Sequence, residues 1–228
     1  MTRTHFRTCN LCEAMCGLEI MLEGDKILSI KGDKKDPLSR GHICPKAVAL
    51  QDIYYDKDRL KYPIRKTENG WERMEWEEAY DLVVEKVRET QMKYGRDSVG
   101  VYAGNPNVHN FGTMLYLPNF LRSMGTKNRY SATSADQLPH HVAALFMFGH
   151  GSMEPIADID RTDFFLIIGA NPLASNGSMM TCPDFGKRMK EIQGRGGKIV
   201  TIDPRKTETA KKSDEHIFIK PGRDALLL

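Results

Sequence analysis

The sequence predicts an α/β protein in two parts. Residues 1–62 read as a small β-rich domain carrying cysteines, and residues 63–228 as a mostly parallel, doubly wound sheet with helices. Three observations lead there. Four of the five cysteines fall within the first 44 residues. From residue 76 onward, helical apolar patterns alternate with short apolar runs such as Phe164–Ile168. The composition, 40% hydrophobic and 28% charged over 228 residues, is that of a folded chain able to bury a core.

The elements follow in order. Residues 18–23 and 26–31 alternate as paired strands around a Gly24-Asp25 turn. Gly32, Asp33 and Pro37 break the chain, and 45–54 reads as one short helix opened by Pro45. Pro63 and the polar stretch 66–70 read as a connector. Trp76–Tyr94 is helical, with Ala79, Leu82, Val83 and Val87 at helical spacing and Gly95 as its stop. A strand over 99–103 and helices over Phe111–Met124 and 137–148 follow. Phe164–Ile168 is uniformly apolar, as in a strand buried on both faces. A helix over 184–193 ends in Gly194-Arg195-Gly196-Gly197, which precedes a strand and so reads as a cap and turn, not a phosphate loop. Strands over Lys198–Ile202 and 216–220 complete the pattern.

Several classes are excluded. No apolar run approaches the roughly 20 residues of a membrane helix. The net charge is only +3, with no basic run of the kind that binds nucleic acid. The first residues hold neither an apolar leader core nor a twin-arginine segment, so the expected compartment is the cytoplasm. In that reducing setting, clustered cysteines bind metal or do chemistry more often than they pair.

Cys9, Cys12, Cys16 and Cys44 have the spacing C-x2-C-x3-C-x27-C, with Pro45 after the last. A triplet can wrap one face of a cubane while a distant fourth thiolate closes the cage. That favours a [4Fe–4S] cluster over structural zinc, which draws two separated C-x2-C knuckles. Zinc and free structural thiols remain the competing readings. Cys182 stands alone before Pro183 and reads as a small buried thiol.

The same residues carry a family resemblance. The cysteine motif with Cys44-Pro45-Lys46 is similar to the N-terminal motif of the molybdopterin oxidoreductases of the dimethyl-sulfoxide-reductase superfamily. The likeness continues through 71–79, Ile168-Gly169-Ala170-Asn171-Pro172, Asp203-Pro204-Arg205 with the five residues after it, and Lys220-Pro221-Gly222-Arg223-Asp224. Members are several times longer, so the resemblance implies one piece of a larger enzyme, cut within its cofactor-binding region and inactive alone.

It also implies cofactors and roles. The cofactors are a [4Fe–4S] cluster on the four cysteines and a Mo- or W-bis(molybdopterin guanine dinucleotide), which an isolated piece need not retain. Lys46 would lie between cluster and pterin, offsetting negative charge on both. Gly169, Asn171, Pro172, Asp203, Pro204, Arg205, Gly222 and Asp224 would contact the pterin cofactor. They follow predicted strands, where open α/β sheets bind ligands. Asp203 suits a guanine edge and Arg205 a phosphate. The family usually has Thr or Ser where Arg223 stands. The metal-ligand position falls near Asp136. No cysteine lies between Cys44 and Cys182, so the sulfur or selenium ligand of formate dehydrogenases and periplasmic nitrate reductases is absent, leaving an oxygen ligand, Asp136 first, then Ser134 or Ser131, or no protein ligand from this loop. Asp136 also reads as a helix start, with Ser134-x-x-Gln137 resembling a capping box. His140 and His141 follow on a helix where adjacent side chains diverge by about 100°.

The function expected is electron passage between metal–pterin and cluster, on a small-molecule substrate, with an electron-transfer partner protein or subunit. A hydratase-type relative without net redox belongs to the same expectation. The alternatives are a non-catalytic iron–sulfur electron-transfer module and a zinc-stabilised α/β binding protein.

Overall fold

The computed structural model describes residues 1–228. Strand β1 (Thr2–Thr8) is followed by the hairpin β2 (Gly17–Glu23) and β3 (Lys26–Gly32), and the three form an antiparallel sheet in the order β1-β2-β3. Two short helices come next, α1 (Pro45–Val48) and α2 (Leu50–Tyr55). The hairpin β4 (Ile64–Thr67) and β5 (Gly70–Arg73) leads to the long helix α3 (Trp76–Tyr94). Strand β6 (Val101–Ala103), helix α4 (Phe111–Met124) and strand β7 (Arg129–Ser131) make a parallel pair with its crossover. The one-turn helix α5 (Thr133–Asp136) and helix α6 (Leu138–Phe148) follow. Strand β8 (Phe164–Ile168), helices α7 (Pro172–Ser175) and α8 (Phe185–Gly194), strands β9 (Lys198–Ile202) and β10 (Glu215–Ile217) and helix α9 (Asp224–Leu227) complete the chain. Strands β8, β9 and β10 are parallel neighbours in that order. No helix is long and apolar enough to cross a membrane.

The fold is α/β, and its parallel strands fall into two sheets, one of three strands and one of two. Contacts divide the chain into two compact units, Met1–Val48 with His140–Leu228, and Ala49–Pro139. In the first, α8 presents Phe185, Arg188, Met189 and Ile192 to the interior, the i, i+3, i+4, i+7 spacing of a one-faced helix. Phe185, Met189 and Ile192 pack with Ile159, Ile167 and Ile199 as one core. Leu18, Ile20 and Ile30 are buried on the antiparallel sheet. In the second unit only Met74 and Thr126 are buried. The apolar face of α3 is correspondingly open, with Val83 57% exposed.

Three local expectations are corrected. The segment 66–70, read as a connector, turns a tight hairpin between β4 and β5, which Gly70 permits at φ +122°. The single helix expected over 45–54 is interrupted at Ala49. Asp136 does not begin a helix: it is the last residue of α5. The Ser134 capping box is not formed, because Ala132 precedes the helix and Gln137 bonds Thr133 Oγ1 instead, at 3.3 Å. Strands β1 and β7 have no signal strong enough to have been read. Their residues are mostly polar and all exposed, so pairing with β2 and β6 makes them strands.

Candidate cofactor-binding sites

The cysteine site is built on the ends of β1 and β2. Between them the loop folds back on itself: the Cys9 N–H donates to the Cys16 carbonyl at 2.8 Å, and the Met15 N–H to the Cys12 carbonyl at 3.2 Å. Met15 takes a left-handed backbone, φ 44°, to close this turn. Cys44 arrives just before α1, and its carbonyl caps that turn by accepting from Ala47 N–H at 3.1 Å. All five cysteines are free. Burial pushes the Cys9 thiol up, and neighbouring Cys12 and Cys44 add to the rise. Cys16 is pushed up to about 11, by burial first and then by negative charge on Cys9, Cys12 and Cys44. The four sulfurs therefore share one electrostatic neighbourhood. Crowded, partly desolvated thiols fit a cationic metal core, which deprotonates its ligands. Lys46 lies on α1 with its side chain in solvent, two residues past Cys44.

The second set of residues stands at the carboxyl ends of β8, β9 and β10. Gly169 takes φ +63°, with open space where a Cβ would sit, so backbone conformation and not crowding calls for glycine there. Asn171 and Pro172 open α7. The Asn171 amide is already engaged: its N–H donates to Glu208 Oε2 at 2.7 Å, and its oxygen accepts from Thr209 Oγ1 at 2.8 Å. It thus ties the loop after β8 to the loop after β9. Buried Asp203 accepts from the Arg205 backbone N–H at 2.7 Å, closing the turn that it begins. Pro204, Arg205 and Lys206 are exposed beyond it, so this end of the sheet offers two cations of the kind that bind phosphate. Gly222 takes φ +73° and Asp224 opens α9.

Within the 49–139 unit, Asp136 lines a cavity of about 300 Å³ with Asn105, Asn107, Met114, Ser131 and Gln137. His140 is exposed. His141 is half-buried and tethered, its Nδ1 lying 2.6 Å from the Gly151 carbonyl and 3.5 Å from Glu154 Oε1. A carbonyl only accepts, so Nδ1 carries the hydrogen. Cys182 packs against the core formed by β8, β9 and α8, and burial pushes its thiol up. It borders an apolar cavity of about 220 Å³ with Phe165, Ile167 and Met180.

Residues 59–228 match the model of the molybdopterin oxidoreductase family, and residues 4–56 that of the molybdopterin oxidoreductase Fe4S4 domain. The chain belongs to the molybdopterin oxidoreductases. Its cofactors are accordingly a [4Fe–4S] cluster and a molybdopterin. This molybdopterin oxidoreductase chain is 29% identical to the F420-dependent formate dehydrogenase subunit alpha of Methanocaldococcus jannaschii, over 96% of its own residues and 31% of that protein. It is 28% identical to a nitrate reductase of Symbiobacterium thermophilum, over 99% of its residues and 30% of that protein. Among solved structures, the acetylene hydratase of Pelobacter acetylenicus superposes with a TM-score of 0.73 at 27% identity, over 97% of this chain and 30% of that one. The chain therefore spans about 30% of the length of these relatives.

Proposed function

We propose that the chain serves the cluster and pterin sites of a molybdenum or tungsten enzyme, with residues 1–62 at the cluster and 63–228 at a bis(molybdopterin guanine dinucleotide). The observation that carries this reading is the convergence of four free thiols on one charge neighbourhood within a matched Fe4S4 domain. Cys9, Cys12, Cys16 and Cys44 hold the cluster, and Lys46 offsets negative charge beside it. Gly169, Pro172, Asp203, Pro204, Arg205, Gly222 and Asp224 form the pterin-dinucleotide surface. Arg205 grips phosphate, and Asn171 contributes by holding the two loops together. Asp136 supplies an oxygen ligand from its cavity. When bound, the metal–pterin supplies substrate chemistry and the cluster relays single electrons. Substrate is a small molecule, electrons leave to a partner protein or subunit, and the compartment is the cytoplasm.

Metal analysis of the complete enzyme, prepared anaerobically, tests this. It should hold about four iron per cluster with labile sulfide, together with Mo or W and guanine. Stoichiometric zinc without iron would sink the cluster assignment. The variant Asp136→Ala should alter the Mo or W EPR signal, and an unaltered signal removes Asp136 as ligand. The likeness to acetylene hydratase supports a second reading, hydration without net redox. Turnover that persists with no electron acceptor or donor present would establish it.

A further inference from the structure

We infer that Arg188 and Asp160 are positioning residues for the iron–sulfur cluster, clamping the 36–44 arm that delivers Cys44; the inference rests on the reading of Cys44 as a cluster ligand. Arg188 sits on the inner face of α8 with its side chain 9% exposed. One guanidinium nitrogen donates to Asp160 Oδ2 at 3.0 Å and another to the Leu38 carbonyl. Arg40 donates to the same Asp160 oxygen at 2.5 Å. One carboxylate thus holds two guanidinium groups from segments far apart in sequence, while its other oxygen, Oδ1, is buried without a hydrogen bond.

The clamp also holds unfavourable backbone. Arg40 and Asp184 take left-handed conformations, φ 51° and 56°, and His42 Nδ1 faces Asp184 Oδ1 at 3.7 Å. The same arm is pinned at a second point. Ser39 Oγ accepts from the Gly17 N–H at 3.1 Å and donates to Asp36 Oδ2 at 2.6 Å. Gly17 directly follows Cys16, and a Cβ there would meet the Asp36 Cβ at 2.5 Å. The arm is therefore held between the cysteine triplet and α8. Its position fixes where Cys44 meets the other three thiolates. Outer contacts of this sort orient metal ligands and tune the site they hold.

An ion pair that merely stabilised the fold would act otherwise, and the more exposed Arg195 supplies the comparison. It caps α8, and its side-chain bonds go to Asp163 and to the carbonyls of Ile159 and Thr162, on the loop that carries Asp160. The test uses the complete cofactor-loaded enzyme. It measures the EPR signal of the reduced cluster and the rate of iron release to a chelator. In Arg188→Met, iron release should quicken about tenfold and the EPR g-values should shift. Arg188→Lys, which keeps the charge but not the planar fork, should fall between it and the parent. Arg195→Met should lose thermal stability yet keep the parent cluster signal. Should Arg188→Met not fold, the Lys variant carries the same test. Parent-like signal and iron release in the Arg188 variants overturn the inference, as does an equal shift in Arg195→Met. If Cys44→Ser retains a full cluster with the parent signal, the ligand reading itself fails, and the inference falls with it.

Discussion

Single residues decide how closely the chain approaches itself around the cysteines. A Cβ on Gly32 would lie 2.0 Å from the Gly41 carbonyl oxygen and 2.4 Å from its carbon. Those are backbone atoms, so no rotamer change relieves the clash. Gly32→Ala should cost about 1–3 kcal/mol or more in denaturant unfolding. Parent-like stability would show that the Gly32–Gly41 approach is not native. Asp36 works through charge. Burial raises its carboxyl, but hydrogen bonds from Ser39 and the Gly17 backbone outweigh that and hold it below the usual carboxylate range. A lowered folded value means that its contribution is complete above the unfolded value near 3.8 and is lost as pH falls through the folded one. Acid unfolding of Asp36→Asn should therefore lack part of the stability loss that the parent shows below about pH 4. Identical acid limbs would show that Asp36 makes no such contribution.

At the scale of elements, α8 and the strands beneath it are the mechanical centre of their unit. Ile192 is fully buried, and Met189 is 1% exposed. Truncating Ile192 to Ala should cost about 2–5 kcal/mol, because the surrounding β8 and β9 cannot collapse into the space. Urea midpoints with an unchanged slope would measure it, and a loss under 1 kcal/mol (about half the low end of that range) would contradict the packing. The contrast is α3. It is the longest helix, and its Leu82-Val83-Val87 stripe was plain in the sequence, yet none of its residues is buried. Periodicity predicts a helix with an apolar face; it cannot say whether that face is covered within these residues. The hairpin β4–β5 shows the reverse case, since its polar residues hid a pairing that only the partner strand reveals.

For the whole molecule, the two units differ in how much core they own. The unit of Met1–Val48 with His140–Leu228 contains the Ile159 to Ile199 cluster, while Ala49–Pro139 buries only Met74 and Thr126. Phe111 and Met114 on α4 are 83% and 55% exposed. Exposed apolar area on that scale drives association. The 228-residue chain alone should self-associate in light scattering, and its α3 and α4 amides should exchange much faster than those of α8. A monodisperse monomer with α3 as protected as α8 would contradict this. In the complete enzyme, α3 and α4 should become protected.

What the sequence determined by itself was chemistry that is local in the chain. The cysteine spacing, the Gly24-Asp25 turn, and the runs 164–168 and 198–202 are set by ligand preference, φ and side-chain period, and each can be read within a few residues. The same is true of α3, α4 and the β2–β3 hairpin. Tertiary structure alone decided what lies between distant segments: that the Asn171 amide is taken by Glu208 and Thr209, that Asp203 closes its own turn, and that Arg188, Asp160 and Leu38 meet. The reason is physical. A hydrogen bond between residues 150 apart depends on the whole path of the backbone between them, and that path is set by the burial of many side chains together rather than by any local preference.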